Sequence, residues 1–488
     1  MTEALQKKPN YGVIAILLVG AFIAMLNETL LNVALPTIMN DFHVSASTVQ
    51  WLSTGYMLVN GILIPITAFL IQKFSVRHLF LTAMTLFTIG TIVAGFAPEF
   101  GVLLAARMVQ AASSAIMMPL LMNVLLTSFP VEKRGSAMGF FGLVMIFAPA
   151  VGPTLSGWIL QHYDWEMLFH LVSPIAVVLL VLSFFLLKSE KKEVKIRIDY
   201  ISTVLSSIGF GGVLYGFSSA GDKGWNTPEV YLTIIIGGLS LIIFIIRQFN
   251  LKQPMLEFRV FRYPMFALSS AISVVLAMAM FSGMLLLPIY VQTIRGISTL
   301  ESGLLMLPGA LLMGIMSPIT GKLFDKFGGR ILALIGLTIT IVTTYFFSNL
   351  TLETTYTELM ILYTVRMFGM SMVMMPVMTN GMNALPQRLN PHATAMNNTL
   401  QQVSGAIGSA LLITIMQNRT ELYAKDLAEQ ATQNAEAMQQ ITNSAMVQGI
   451  NDTFLISTFI AGIAWILAVF IKRPERPVEE DKAQVVNA

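Results

Sequence analysis

Glu28 and Arg107 are the two side chains of this 488-residue chain least easily read as solvated surface. Glu28 lies within LNETLLNVALP and Arg107 within ARMVQAASSA, each inside a long apolar run. If those runs cross a membrane, an ionisable group within one costs at least about 2.5–3.5 kcal/mol on insertion scales and is retained for use. A carboxylate in low dielectric tends to hold its proton, and a neighbouring guanidinium favours its release. A Glu/Arg couple that can be drawn together and apart is therefore a proton switch. The alternative is a static ion pair that only fixes helix packing. Asn32 falls one turn from Glu28, and Gln110 nearly one turn from Arg107, so both charges have neutral polar partners within reach.

Such residues need spanning helices to hold them, and the composition supplies these. Only 11% of residues are charged and 55% are apolar, the mean hydropathy is +0.73, and Met (32) and Phe (31) are abundant. Apolar stretches of about 20 residues recur along the whole length, as spanning helices require. The expected fold is an all-α polytopic membrane protein with fourteen transmembrane helices. They run over approximately 12–36, 48–71, 79–97, 101–126, 136–160, 167–187, 200–220, 230–247, 264–292, 301–324, 331–350, 358–381, 397–417 and 452–471. With the N-terminus inside, cytoplasmic segments and span ends hold 23 of the 29 Lys and Arg, and outside segments hold four. That asymmetry predicts a multi-pass plasma-membrane protein with both termini cytoplasmic. At 1.5 Å per residue, Glu28 lies ~12 Å and Arg107 ~9 Å from the outer ends of their helices, so an ion pair is geometrically possible.

Other classes are excluded by what is missing. There is no cysteine, so no disulfide or thiolate metal site, and the five histidines lack metal-ligand spacing. No P-loop, nucleophile elbow or Gly-rich nucleotide loop occurs, which argues against an enzyme or an ATP-driven pump and leaves no cofactor to expect. The net charge of +3 is dealt out among loops, so no nucleic-acid partner is expected. Lys7 and Lys8 precede a run too long for a signal peptide and without a small-residue cleavage site, so that run is retained as the first helix.

The spans are organised by a duplication. Residues 61–77 read GILIPITAFLIQKFSVR and 314–330 read GIMSPITGKLFDKFGGR, identical at nine of seventeen positions at an offset of 253. Shared Pro, Thr, Lys and Arg in register are more than two membrane segments match by chance, and internal duplication is how many transporters are built. The offset pairs the second span with the tenth. It predicts two pseudo-symmetric six-helix bundles, 1–187 and 264–471, around an insert at 188–263 comprising a basic linker, two helices and a cytoplasmic loop. A tail follows at 472–488. The linker KSEKKEVKIRID at 188–199 either contacts anionic lipid headgroups or is a plain solvated connector. The long external segment 417–451 is a lid or an inert loop.

On these residues the chain resembles the major facilitator superfamily. Gly321-Lys-Leu-Phe-Asp325-Lys-Phe-Gly328-Gly-Arg330 is similar to its loop signature G-x-L-x-D-R/K-x-G-R-R/K, which the first copy has lost, with Gln72 in place of Asp. LNETLLNVALP resembles the span-one signature L-D-x-T-x-x-N-V-A-L-P of the fourteen-helix drug:proton antiporters. Asn27 stands where that family has Asp, and Glu28 is rotated from it by ~100°. Arg107 and Gln110 match R-x-x-Q-G, and Ala148-Pro149-Ala-Val-Gly152-Pro153-Thr-Leu-Ser-Gly157 resembles the exporters' G-P-x-x-G-P-x-x-G-G.

The resemblance implies proton-coupled antiport of lipophilic drugs or similar amphiphiles out of the cell by a monomeric carrier. Protons, the substrate and membrane lipids are its partners. Glu28 and Arg107 would couple the proton. Asn32, Gln110, Arg366, Asn398 and Gln402 would line the substrate cavity. Asp325, with Lys326 and Arg330, would latch the cytoplasmic side, and Pro149, Gly152 and Pro153 would bend or seal. The Met run of the twelfth span would give an adaptable wall or plain packing. The alternative is an uncoupled facilitator, or an exporter of an endogenous lipid or metabolite, with the same fold.

Overall fold

A computed structural model describes residues 10–188, 199–428 and 435–473, and no strand occurs among them. Residues 1–9, most of the basic linker (189–198), the middle of the external segment (429–434) and the tail from 474 lie outside the described residues.

The first bundle comprises α1 (Tyr11–Asp41), a short α2 (Ala46–Val49), α3 (Trp51–Lys73), α4 (Val76–Gly95), α5 (Phe100–Ser128), α6 (Arg134–His162) and α7 (Met167–Leu186). The insert is the hairpin α8 (Tyr200–Lys223) and α9 (Pro228–Asn250). The second bundle comprises α10 (Pro264–Ile289), α11 (Thr299–Phe327), α12 (Gly329–Phe347), α13 (Tyr356–Ser371), α14 (Met374–Asn383), α15 (Asn390–Ala428) and α16 (Ala435–Val469). Fourteen helical segments are long and apolar enough to cross a bilayer.

Local sequence sets the helix ends. Asn10 Oδ1 accepts from Val13 N, Ser75 Oγ from His78 N, and Ser298 with Glu301 closes a capping box on α11. The twelfth span, expected unbroken over 358–381, is two helices parted at Met372–Val373. Pro376 explains the break, because its ring excludes the carbonyl of Met372 four residues back and it donates no N–H. The segment 417–451 is helical on both sides of 429–434, as α15 and α16 continue outward.

Two apolar cores fill the bundles: one, with Phe80, Phe87, Leu120 and Phe169, extends across the seam to Met375, Met378 and Met382, and the other holds Ile272, Leu287, Leu337 and Phe454. The duplication survives as an interaction. Thr67 Oγ1 donates to Ala115 O at 3.0 Å, and Thr320 Oγ1, its copy, donates to Ser371 O at 3.0 Å. The seam between the bundles is α6 along α11 and α3 along α15, and α8 lies against both α3 and α15. Small residues permit the close approach: a Cβ on Gly139 would lie 2.7 Å from the backbone of Pro318.

Candidate transport site

Arg107 is held in the middle of the first bundle by neutral groups. Its Nη1 donates to Asn27 Oδ1 at 2.9 Å and to Gln110 Oε1 at 2.8 Å. Gln110 Nε2 in turn donates to Thr91 Oγ1 at 2.8 Å, and Thr91 Oγ1 donates to Phe87 O. The guanidinium lies over the Tyr56 ring, 4.4 Å from its centroid, an arrangement that favours a buried cation. Helices α1, α3 and α5 thus each contribute a partner, α4 braces Gln110 through Thr91, and Arg107 is only 1% exposed with Nε unbonded. Gly90 lets α4 approach, since a Cβ there would lie 2.8 Å from Gln110 Cγ.

Glu28 is the next residue after Asn27, yet it points elsewhere. It is half-buried, within electrostatic range of Arg107, and its carboxylate forms no hydrogen bond or ion pair among the described residues. The ion pair allowed by the matched depths is therefore replaced by an amide contact. Just beyond, the small-residue face of α6 closes on α1. Ser156 Oγ donates to Leu30 O at 2.7 Å, Thr29 Oγ1 to Ala148 O at 3.4 Å, and Gly152 faces Thr29. Pro149 and Pro153 lie within an uninterrupted α6.

The second bundle repeats the buried arginine with no carboxylate bonded to it among the described residues. Arg366 is fully buried; its Nη2 donates to Ala279 O at 2.8 Å and Ser282 Oγ at 3.2 Å, and its Nε to Thr344 Oγ1 at 3.2 Å. Thr91 and Thr344 are again 253 residues apart, but Arg366 donates to Thr344 directly whereas Arg107 reaches Thr91 only through Gln110. Asn398 and Gln402 follow each other by one turn of α15, Asn398 buried with Nδ2 unbonded and Gln402 half-buried. The side chain of Asn32 lies outside what the structure describes. Met370, Met375 and Met378 are core residues, and Met378 Sδ accepts from Asn397 Nδ2.

At one end of the bundle, near both Tyr11 and Arg473, the two halves are clasped. The Asp325 carboxylate, from the end of α11, accepts from Gly135 N (2.8 Å), Ser136 N (2.9 Å) and Ser136 Oγ (2.7 Å) at the start of α6. A carboxylate on the free N–H groups of a helix is both hydrogen-bonded and favoured by the helix dipole. Lys326 and Arg330 remain exposed, while Arg473 Nη2 donates to Asp325 O. Arg134 Nη1 adds a bond to Asn383 Oδ1 at 3.3 Å. The copy of Asp325 is Gln72, which bonds the buried His392 on α15 at 3.0 Å, and Glu257 N donates to His392 Nδ1. The second clasp therefore exists, but it is neutral. Tyr56, Thr91, Arg134 and His392 were not legible as site residues, for lack of any signal beyond a polar type in or beside an apolar run, whereas Asn27 was marked by standing at the acid position of the span-one signature.

Paired six-helix bundles with buried polar residues at their centre define a secondary transporter. The chain belongs to the Major Facilitator Superfamily, whose model matches residues 17–409. It is 47% identical to the MFS-type transporter YhcA of Bacillus subtilis over 97% of this chain and 94% of that protein. It is 43% identical to the lincomycin resistance protein LmrB of Bacillus subtilis (94% and 95% covered), and 26% to the multidrug export protein EmrB of Haemophilus influenzae (93% and 94%). The crystal structure of the human organic anion transporter MFSD10 superposes with a TM-score of 0.64 at 13% identity, covering 93% of this chain and all of that one. At that identity the likeness is one of fold.

Proposed function

We propose that the protein is a proton-coupled exporter of lipophilic or amphiphilic compounds that works by alternating access, with both termini on the cytoplasmic side. The observation that carries this reading is the Glu28 carboxylate, unbonded and half-buried, beside a buried Arg107 whose hydrogen bonds go to Asn27 and Gln110. Glu28 is free to take up and release a proton because no donor competes for it. Approach of Arg107 favours the carboxylate and withdrawal favours the acid, so motion of α1 against α5 couples protonation to conformation.

Helix α15 supplies the neutral hydrogen-bonding groups Asn398 and Gln402, Asn398 Nδ2 being buried and unbonded, and the buried Asn60 Oδ1 on α3 is likewise unbonded. Such groups suit a largely apolar ligand with few polar atoms. Asp325 and its contacts hold the cytoplasmic end shut while the opposite end admits protons and releases substrate. The relatives named for lincomycin resistance and multidrug export support the drug-export reading.

Inside-out vesicles test it. Imposing an acid-inside gradient should drive uptake of a lipophilic dye, and each dye taken up should dissipate part of the gradient. Dye movement indifferent to the gradient would reduce the protein to an uncoupled facilitator.

A further inference from the structure

At the clasped end, a cavity of about 220 Å³ lies between the last turns of α3 and the first turn of α8. Ile66, Phe69 and Leu70 line one side, Asp199, Tyr200 and Thr203 the other, and Gln253 and Met255 close it from the segment that follows α9. It is smaller than the ~300 Å³ at which pockets for drug-sized ligands begin, so a whole substrate does not fit. Most of the surface it exposes is apolar, with Asp199 and Gln253 as the polar members of its lining. From Lys73, at the end of α3, to Ile66 is seven residues, so the cavity reaches ~10 Å inward from the helix ends. Deeper in, Gly61 and Leu214 bring α3 and α8 together, so the gap is confined to the outermost turns.

The charges around the mouth are arranged unevenly. Asp199 is answered by Arg247, whose Nε and Nη2 donate to it at 2.9 Å and 3.0 Å, and by Ser202 Oγ at 2.6 Å. Lys73 has no carboxylate partner among the described residues; its ammonium sits 5.4 Å from the centroid of the Phe69 ring that lines the cavity. A narrow slot that opens at the helix ends beside a cation with no carboxylate partner among the described residues matches one end of a phospholipid, chain inward and phosphate at the rim.

We propose that this cavity holds the headgroup-proximal part of one acyl chain of a membrane phospholipid, its phosphate at Lys73, as a fixed wedge between the first bundle and the inserted hairpin. The wedge touches the neutral clasp indirectly, because Met255 is two residues from Glu257, whose N–H donates to His392. The proposal is independent of what the protein exports.

The test uses the full-length protein in vesicles containing phosphatidylglycerol with a photoactivatable group on its acyl chain. After irradiation, adducts should concentrate on residues 66–70, 200–203 and 255. Thr203→Trp, which fills the slot, should remove those adducts. Lys73→Gln should weaken retention of phosphatidylglycerol about fivefold, the worth of one interfacial lysine against an anionic lipid. It should leave a diacylglycerol of the same chains unaffected. Adducts spread evenly over the lipid-facing helices, or undiminished by Thr203→Trp, overturn the proposal. Should Thr203→Trp fail to fold, equal retention of both lipids by Lys73→Gln overturns it alone. Displacement of the adducts by ethidium at concentrations that saturate its transport would assign the slot to substrate and overturn it as well.

Discussion

Asn27 Oδ1 accepts a hydrogen bond from Arg107 Nη1 at 2.9 Å, while Glu28, one residue along the same helix, makes no such bond. The guanidinium is thus fixed by an amide, and the carboxylate is left unengaged. The division of labour between neighbours is what the following variants probe.

Glu28→Gln should abolish gradient-driven dye transport while the protein still inserts and folds, since the amide keeps the shape but cannot titrate. Glu28→Asp should retain part of the activity. Gradient-driven efflux at the wild-type rate by the Gln variant would remove Glu28 from the coupling step.

Asn27→Asp places a carboxylate directly against Arg107, where a charge-assisted bond is roughly twice as strong as the neutral one. Arg107 should then be pinned, so turnover should slow about tenfold with dye affinity little changed, a loss of ~1.4 kcal/mol. A kcat equal to wild type would show that Arg107 does not move during transport.

A single unengaged carboxylate cannot neutralise two charges on a ligand inside a low-dielectric cavity. Neutral or monocationic lipophiles should therefore be exported in preference to dications. Resistance profiles of cells expressing the protein check this. Equal protection against a dicationic biocide and a monocationic dye would contradict it.

Asp325→Asn keeps one acceptor oxygen but turns an amide donor toward a helix N-terminus full of donors. The clasped state should lose about 1–2 kcal/mol, a five- to thirtyfold shift toward opening at that end. Gln72→Ala, which removes a neutral contact to His392, should shift it less. Single cysteines introduced into this Cys-free chain report accessibility, and equal labelling of wild type and Asp325→Asn would reject the clasp.

Arg247 holds the Asp199 carboxyl down to about 2, well below the usual carboxylate range. A group whose folded value is depressed contributes stability above its unfolded value, near 3.9, and loses it as pH falls toward 2. Asp199→Asn should therefore lower the melting temperature equally at pH 5 and pH 8, and the difference from wild type should shrink below pH 4. A difference that grows between pH 8 and pH 5 would contradict the pairing.

Much of this architecture was legible in advance. Run lengths and hydropathy predicted the fourteen spans, and the shared Pro, Thr, Lys and Arg of 61–77 and 314–330 exposed the duplication, because those features depend only on sequence order. The rotation of each helix about its axis does not. A turn of ~100° decides whether residue 27 or 28 of α1 faces Arg107, and apolar patterning is nearly uniform around a helix bathed in lipid on one side and packed on the other. The parting at Met372–Val373 was similarly hidden. Pro376 was visible, but Pro149 and Pro153 interrupt nothing in α6, so proline alone does not say which helix divides. The His392 contact joins residues 320 apart and follows from how the bundles meet.

The matched bonds of Thr67 and Thr320, each 3.0 Å long, have a mechanical meaning. Each fastens two helices within its own bundle and neither crosses the seam, so both bundles are braced alike on the inside and differ in what they grip across it. A lever with two equally stiff arms and unequal catches does not open symmetrically. Its neutral catch, Gln72 with His392, should give before the charged one, so the order in which the seam comes apart would trace to the point at which the two copies of the repeated segment differ.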